Sequence, residues 1–366
     1  MNSVPRSPEC DDVSRSTGLS RRGLLAAGAT AAAALALPAA TACARPPSPS
    51  AAGTDRAVTT PPPAMSVHLI GTGGPEMSTG RQGMSTLVDA GGQRLLFDVG
   101  RGATQNLYES RINPKDVTQI FLTHLHNDHY EGLPTLWLNP WFLLGRTENL
   151  QLWGPHGTAD MVAGMRMMYA HDLDHRANDT LRVQYLDIDV TQIEPGVVYE
   201  RAGVVVTAFP VEHRDGNPAF GYRVDHAGRS VLLSGDTIYH ENVVEHGRGV
   251  DVLIHNVLAF SDELTASGRW EFLEEKLATP EQAAAVFLEA NPRVAVYSHI
   301  AKKGLHGEAG DRRILERTRA AGYDGELHMG VDRMTIEVDD RITVAPPAST
   351  HGLPELDSGD VELDHG

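Results

Sequence analysis

Short apolar runs broken by glycine-rich turns recur from residue 65 to residue 345, and this pattern predicts strands more often than helices. Ser66-Val67-His68-Leu69-Ile70 runs into the turn-forming Gly71-Thr72-Gly73-Gly74-Pro75. Residues 86–89 and 94–98 flank Ala90-Gly91-Gly92-Gln93, which signals a β-hairpin. Residues 119–122 read as a buried strand, and further strands are predicted at 181–186, 204–209, 220–224, 231–233, 252–254 and 294–297.

Helical periodicity is confined to fewer places. Residues 157–169 place Met161, Met165 and Met168 on one face, which is expected to pack in the core. Thr279-Pro280-Glu281-Gln282 starts a second helix, with Thr as N-cap, Pro at the first helical position and Gln closing a capping box. That helix stops at Asn291-Pro292, and a third is predicted near 311–320. Two sheets, each covered by such helices, would make an α/β domain of four layers, an αββα sandwich.

With 366 residues, 41% of them hydrophobic, the chain can bury a sizeable core. Its net charge of −17 favours solubility and disfavours nucleic acid as a partner. The only cysteines, Cys10 and Cys43, precede the predicted domain, so no disulfide framework holds it. A metal site would therefore use His and carboxylates, which suits Zn²⁺ or Mn²⁺.

The ends divide from the middle by composition. Ser20-Arg21-Arg22-Gly23-Leu24-Leu25 followed by an Ala/Leu-rich run has the layout of a twin-arginine export signal, expected over 1–42. The run is short of the roughly 20 apolar residues that span a bilayer. Ala40-Thr41-Ala42 offers a cleavage site, and Cys43 directly after it equally fits a lipoprotein box that would tether the chain to a membrane. Residues 43–64 are rich in Pro, Ser, Ala and Thr and read as a linker. The catalytic domain is expected over 65–345, and 346–366 as a disordered acidic tail.

The strongest chemical signal is His124-x-His126-x-Asp128-His129, directly after a buried apolar strand. Four metal-competent side chains in six residues converge if the loop turns sharply, and imidazoles with a carboxylate match a borderline cation such as Zn²⁺. Partners are expected at other strand ends: His213 after 204–211, Asp236 after 231–234 and His299 after 294–297.

With these motifs the chain resembles the ribonuclease Z and arylsulfatase-type branch of the metallo-β-lactamase superfamily. The resemblance covers about residues 67–338. It is carried also by Ile70-Gly71-Thr72-Gly73-Gly74-Pro75, Leu95-Leu96-Phe97-Asp98-Val99-Gly100, Trp153-Gly154-Pro155-His156-Gly157, Phe220-Gly221-Tyr222-Arg223, Ser234-Gly235-Asp236-Thr237 and Val252-Leu253-Ile254-His255. It implies the metallo-β-lactamase αββα four-layer sandwich and two Zn²⁺ ions. His124, His126 and His213 would hold one, Asp128, His129 and His299 the other, with Asp236 bridging and Asp98 orienting a ligand imidazole. A cysteine at position 236 would have pointed to a β-lactamase proper; Asp does not. Asp128 and His255 are the catalytic candidates: His255 matches the catalytic His of the ribonuclease Z motif, although Asn256 stands where that motif has Glu.

Two such ions would share a hydroxide made available near neutral pH, because metal binding lowers the pKa of water from about 15.7 to about 7. The expected substrate is a small anionic sulfate or phosphate ester met outside the cytoplasm. Ribonuclease Z activity on precursor tRNA, a lactonase and a non-catalytic metal-binding protein are the alternatives. Residues 144–183, where tRNA-processing relatives can project a basic arm, hold no Lys and four scattered arginines. Arg81, Arg176 and Arg223 are candidates to meet the anionic group, and His156, His171, His240 and His306 to line the cleft. Resemblance also raises a homodimer. Changing Arg21 and Arg22 together to Lys is expected to hold the chain inside the cell. Normal export of that variant, followed by fractionation and immunoblotting, would rule out the twin-arginine route.

Overall fold

The computed structural model describes residues 63–176 and 185–353. The export signal, both cysteines, the linker up to residue 62, most of the strand expected at 181–186 and the tail from 354 lie outside the described residues.

Two sheets form the centre. The first has eight strands: β1 (Met65–Gly71), β2 (Ser85–Ala90), β3 (Gln93–Phe97), β4 (Gln119–Phe121), β5 (Leu150–Gly154) and β6 (Ile188–Gln192), extended beyond β1 by β14 (Met334–Val338) and β15 (Ile342–Ala345). The second has seven, in spatial order β13 (Leu327–Met329), β12 (Val294–Lys303), β11 (Val252–Phe260), β10 (Arg229–Leu233), β9 (Ala219–His226), β8 (Val204–Val211) and β7 (Gly196–Arg201). Helices α1 (Ala103–Glu109), α2 (Leu133–Leu143), α3 (Thr158–Met168) and α4 (Ala170–Arg176) fall between strands of the first sheet. Helices α5 (Glu241–Gly247), α6 (Asp262–Ser267), α7 (Pro280–Ala290) and α8 (Gly307–Ala320) follow in the second half.

Alternation along the strands explains the layers. Val67, Leu69, Val88, Phe97 and Phe121 from the first sheet meet Val206, Tyr222, Val231, Ile254 and Val296 from the second in one core between the sheets. The opposite faces are apolar too. Leu87, Leu96 and Ile120 pack under Leu107, Trp137 and Val162 of the helices on one side. Leu232, Leu253 and Ala295 pack under Val243, Phe287 and Ile314 on the other. A strand buried on both faces reads as a continuous apolar run, as these do. The expected four-layer αββα sandwich is what forms.

Gly91 and Gly92, both at positive φ (56° and 72°), make the two-residue turn of the β2–β3 hairpin, as left-handed central residues require. The capping box of α7 forms, with the Thr279 hydroxyl accepting from Gln282 N and the Gln282 side chain accepting from Thr279 N.

Two expectations need correcting, and one helix was not predicted. The methionine face of α3 is not all core: Met165 is buried, Met161 half-buried and Met168 68% exposed. β11 and β12 run well past residues 254 and 297, because their parallel pairing continues after a register shift near His255. Helix α2 carried no clear sequence signal: it holds Pro140 in its interior and is apolar on most sides, since it lies buried.

Trp137 of α2 is fully buried, and its indole N–H donates to Leu186 O at 2.9 Å. Trp137→Ala is expected to cost about 3–5 kcal/mol of folding stability in urea unfolding. A loss under about 1 kcal/mol would show that this helix layer does not hold the first sheet.

Candidate metal centre

All seven residues expected to hold metal come together, six of them just beyond strand ends and His299 within a strand. After β4, residues 124–129 turn tightly through a 3-10 turn at Asn127–His129, with His129 N donating to His126 O at 3.1 Å. Val99 N donates to His129 O at 2.7 Å, which fixes this turn to the exit of β3. His213 follows β8, Asp236 follows β10 and His299 lies within β12 at the unusual φ of 44°.

The geometry defines clusters His124/His126/His213, Asp128/His129/His299 and His124/His129/Asp236, whose ligand-type atoms lie within 4.8 Å of one another in each set. One oxygen of Asp236 stands 3.2 Å from His299 Nε2, 3.4 Å from His129 Nε2 and 3.6 Å from His213 Nε2, so it faces both halves. Asp128 Oδ2 is 3.3 Å from His299 Nε2. His213 Nε2 and His126 Nδ1 point at each other across 3.1 Å. A Cβ at Gly216 would stand 2.1 Å from His213 Cδ2 and 3.0 Å from His126 Cε1, so only glycine lets this turn close over the imidazoles.

Outer contacts fix the tautomers. His129 Nδ1 donates to Asp98 at 2.8 Å, so Asp98 sits where it was expected, behind a cluster imidazole. Thr123 has one hydroxyl proton, and it goes to the Asp98 carboxylate at 2.9 Å. The same oxygen therefore accepts from His124 Nδ1 at 3.0 Å. His213 Nδ1 donates to Lys276 O at 2.7 Å. Each ring thus turns Nε2 inward, and the buried Nε2 atoms of His124 and His129 have no hydrogen-bond partner.

Those orphaned nitrogens, with carboxylate oxygens and further imidazoles around them and no sulfur, fit a divalent ion of the zinc type. Protonation equilibria agree. Burial would strip the proton from His129, but Asp98 and Asp236 overrule it and hold the imidazolium well above the usual range. His299 is likewise raised against burial, by Asp236 and Asp128. His124 is pushed well down by burial and by neighbouring imidazoles. Burial alone would lift the Asp236 carboxyl, yet His299 and His129 hold it well below the carboxylate range. A cation would take the place of protons that the cluster otherwise collects.

Other candidates stand apart. Arg81 is buried and donates to Thr72 Oγ1, Gly330 O and Asp311. Arg223 is held by Asp225 and His246 O, and Arg176 by Asp172 over the Phe142 ring. None of the three is free to meet an anion, which corrects the expectation. His156 pairs with Glu194, His171 lies against His175, His240 caps α5 and His306 sits at the N-cap of α8.

His255 also departs from its expected role as general acid. It is fully buried, and its Nδ1 donates to Asn256 O at 2.8 Å. The residue lines a small cavity with Asp236, His299, Ser234 and Asn256, and its Nε2 has no hydrogen-bond partner. Burial pushes its pKa down to about 4, so the ring is neutral near pH 7 and its one proton points at a backbone carbonyl. Thr123 and the Lys276 carbonyl were not anticipated. Thr123 is adjacent to the motif, but nothing in sequence marks a carbonyl 63 positions from His213.

A family model described as "Beta-lactamase superfamily domain" matches residues 87–300. Ribonuclease Z of Mycolicibacterium gilvum is 30% identical over 285 residues, covering 76% of this chain and 98% of its own. Ribonuclease Z of Mycobacterium avium is 32% identical over 277 residues, covering 75% and 98%. Human tRNase Z, short form, superposes with a TM-score of 0.54 at 23% identity over 74% of this chain and 98% of its own. A metallo-β-lactamase fold protein from Bacillus subtilis gives 0.56 at 16% identity over 74% and 98%.

Because the native ring of His255 titrates near 4 and an unfolded one near 6.5, the unfolded chain binds the proton first as pH falls. Stability is therefore full above about pH 6.5 and declines between 6.5 and 4, by up to about 3 kcal/mol from this group. Urea unfolding of the metal-free protein and of His255→Gln should show that extra decline in the wild type alone. Parallel pH profiles would show that the ring takes up its proton in the native state.

Proposed function

Because this chain belongs to the metallo-β-lactamase superfamily, in its ribonuclease Z branch, we propose that it is a dinuclear, metal-dependent hydrolase of phosphodiester bonds. The observation that carries the reading is the single Asp236 oxygen facing imidazoles of both clusters. His124, His126 and His213 would hold one ion and Asp128, His129 and His299 the other, with zinc the first choice for an all-nitrogen-and-oxygen set. Such ions supply Lewis acidity toward an ester oxygen and make water nucleophilic near neutral pH.

The chain's own residues do the rest. Asp98 and Thr123 hold the His124 and His129 rings so that Nε2 faces inward, and the Lys276 carbonyl does the same for His213. The carboxylates of Asp128 and Asp236 stay ionised in the site, ready to accept a proton or a hydrogen bond from an attacking water. His255, neutral and turned to its backbone, is not positioned to protonate a leaving group.

Relatives bearing the ribonuclease Z name favour a phosphodiester over the small sulfate or phosphate ester expected from the sequence. The expected export favours a second reading, a small aryl sulfate or phosphate ester, although Arg81, Arg176 and Arg223 are paired and cannot serve it. The Zn²⁺-loaded full chain should be offered bis(p-nitrophenyl) phosphate, precursor tRNA and p-nitrophenyl sulfate. Diester turnover is expected, with loss of at least about 100-fold in Asp236→Ala and on chelation. Turnover of the sulfate alone would replace this reading by the second. Near-normal turnover in Asp236→Ala would remove the assignment of Asp236 to both ions.

A further inference from the structure

Beside the cluster lies a patch of aromatic rings and cations that the reading above does not use. After β11 the chain leaves the sheet at Phe260, forms α6 and a 3-10 turn at Glu271–Glu275, and returns at Lys276. Both ends are tied to the strands that deliver cluster residues. Ser261 N donates to Lys303 O at 2.9 Å, on the strand of His299, and Lys276 O accepts from His213.

Between these ties the segment presents Trp270 and Phe272, ring centroids 5.9 Å apart, with Phe272 45% exposed. The Arg269 guanidinium stands 5.5 Å from the Trp270 ring centre and Lys303 Nζ 5.8 Å from it. Among the described residues the Arg269 guanidinium has no carboxylate partner; it is exposed and stands by the ring, while its backbone N–H donates to Ser267 Oγ. Lys303 pairs with Glu76, and Glu76 is a near neighbour of the cluster. A Cβ on Gly74 would lie 3.0 Å from His299 Cε1 and 3.1 Å from Glu76 Oε2.

Trp270 also walls a recess with Phe260, Leu264 and Thr265, at whose edge stand Glu271 and Glu274. Those carboxylates repel an anion. A ligand that is both aromatic and anionic would therefore lay its ring on the apolar wall beside Arg269 and turn its charge away from these carboxylates, past Lys303 toward the cluster. Stacking on Trp and attraction to cations are additive reasons for such a ligand to settle there.

We infer that Trp270, Phe272, Arg269 and Lys303 form a subsite for the planar aromatic group of the ester substrate, its anionic ester reaching toward the His/Asp cluster. The inference rests on the hydrolase reading and deepens it: the substrate is an aromatic ester, its ring a nucleobase or an aryl group. Stacking on one aromatic side chain changes affinity by about tenfold in comparable sites.

Isothermal titration of the full, Zn²⁺-loaded chain with methyl phosphate, phenyl phosphate and adenosine 5′-monophosphate tests it. At least one aromatic ligand should bind about tenfold tighter than methyl phosphate. Trp270→Leu should bring that preference to within about twofold while methyl phosphate binding stays within twofold, and Trp270→Tyr should restore it. A preference for the nucleotide over phenyl phosphate assigns the ring as a nucleobase; the reverse assigns an aryl group. Equal binding of all three by the wild type overturns the subsite. So does a Trp270→Leu variant that weakens methyl phosphate as much as the aromatic ligands. Should that variant not fold, Phe272→Leu and Arg269→Ala, both at exposed positions, carry the test, and an unchanged aromatic preference in both overturns it. Aromatic preference without diester turnover removes only the function proposed above; turnover without aromatic preference removes only the subsite.

Discussion

The carboxylate of Asp98 is the constraint on which the site depends. It is fully buried at the exit of β3, with φ at 59°, a conformation costing on the order of 1–3 kcal/mol for a side-chain-bearing residue. That cost is borne because the group has four uses. One oxygen accepts from Thr123 N at 2.8 Å, so it closes the end of β4 against β3. The other accepts from the Thr123 hydroxyl and from His129 Nδ1, and its backbone N–H binds Phe121 O. Through Thr123 it also sets the ring of His124. Two cluster imidazoles thus inherit their orientation from one buried charge.

Removing such a charge would not be a local event. A buried ion pair broken on one side costs about 3–5 kcal/mol, because the remaining partner is left without solvent or counter-charge. Here the partner is the His129 imidazolium, which already sits between Asp98 and Asp236. The cluster is therefore a set of like and unlike charges held at close range by the two sheets. Its positive-φ residues, Asp98, Arg214 and His299, lie in it or next to it, where backbone strain is expected when geometry is dictated by function.

Much of this was readable from sequence because strand ends are readable. An apolar run followed closely by His or Asp puts that side chain at the rim of a sheet, and His124, His213 and Asp236 obey this rule, whereas His299 lies inside β12. The sandwich was legible for the same reason: runs such as Val252–Phe260, apolar on both faces, demand layers on both sides. What could not be read was partnership across the chain. Arg81, Arg176 and Arg223 looked available by position, yet each is already bound by Asp311, Asp172 or Asp225. The Lys276 carbonyl behind His213 is invisible because every residue has one. Helix α2 was missed because burial on most sides erases the periodicity that marks a helix, and Pro140 argues locally against one.

The acidic composition decides less than the residues around the cluster do. A net charge of −17 is spread over the whole surface, and at physiological ionic strength charges farther apart than about 8 Å are largely screened. The potential a substrate meets is set by the few groups within that distance of the cluster. Asp98, Asp128 and Asp236 lie there beside the proton-collecting His129 and His299, so without metal the site offers an anion no net positive charge. A divalent ion among the imidazoles reverses that sign locally while leaving the net charge of the chain almost unchanged. Lys303, the cation nearest to the strand of His299, is already paired with Glu76. Composition therefore bears on solubility, while the local potential belongs to the His/Asp cluster and to any ion it holds.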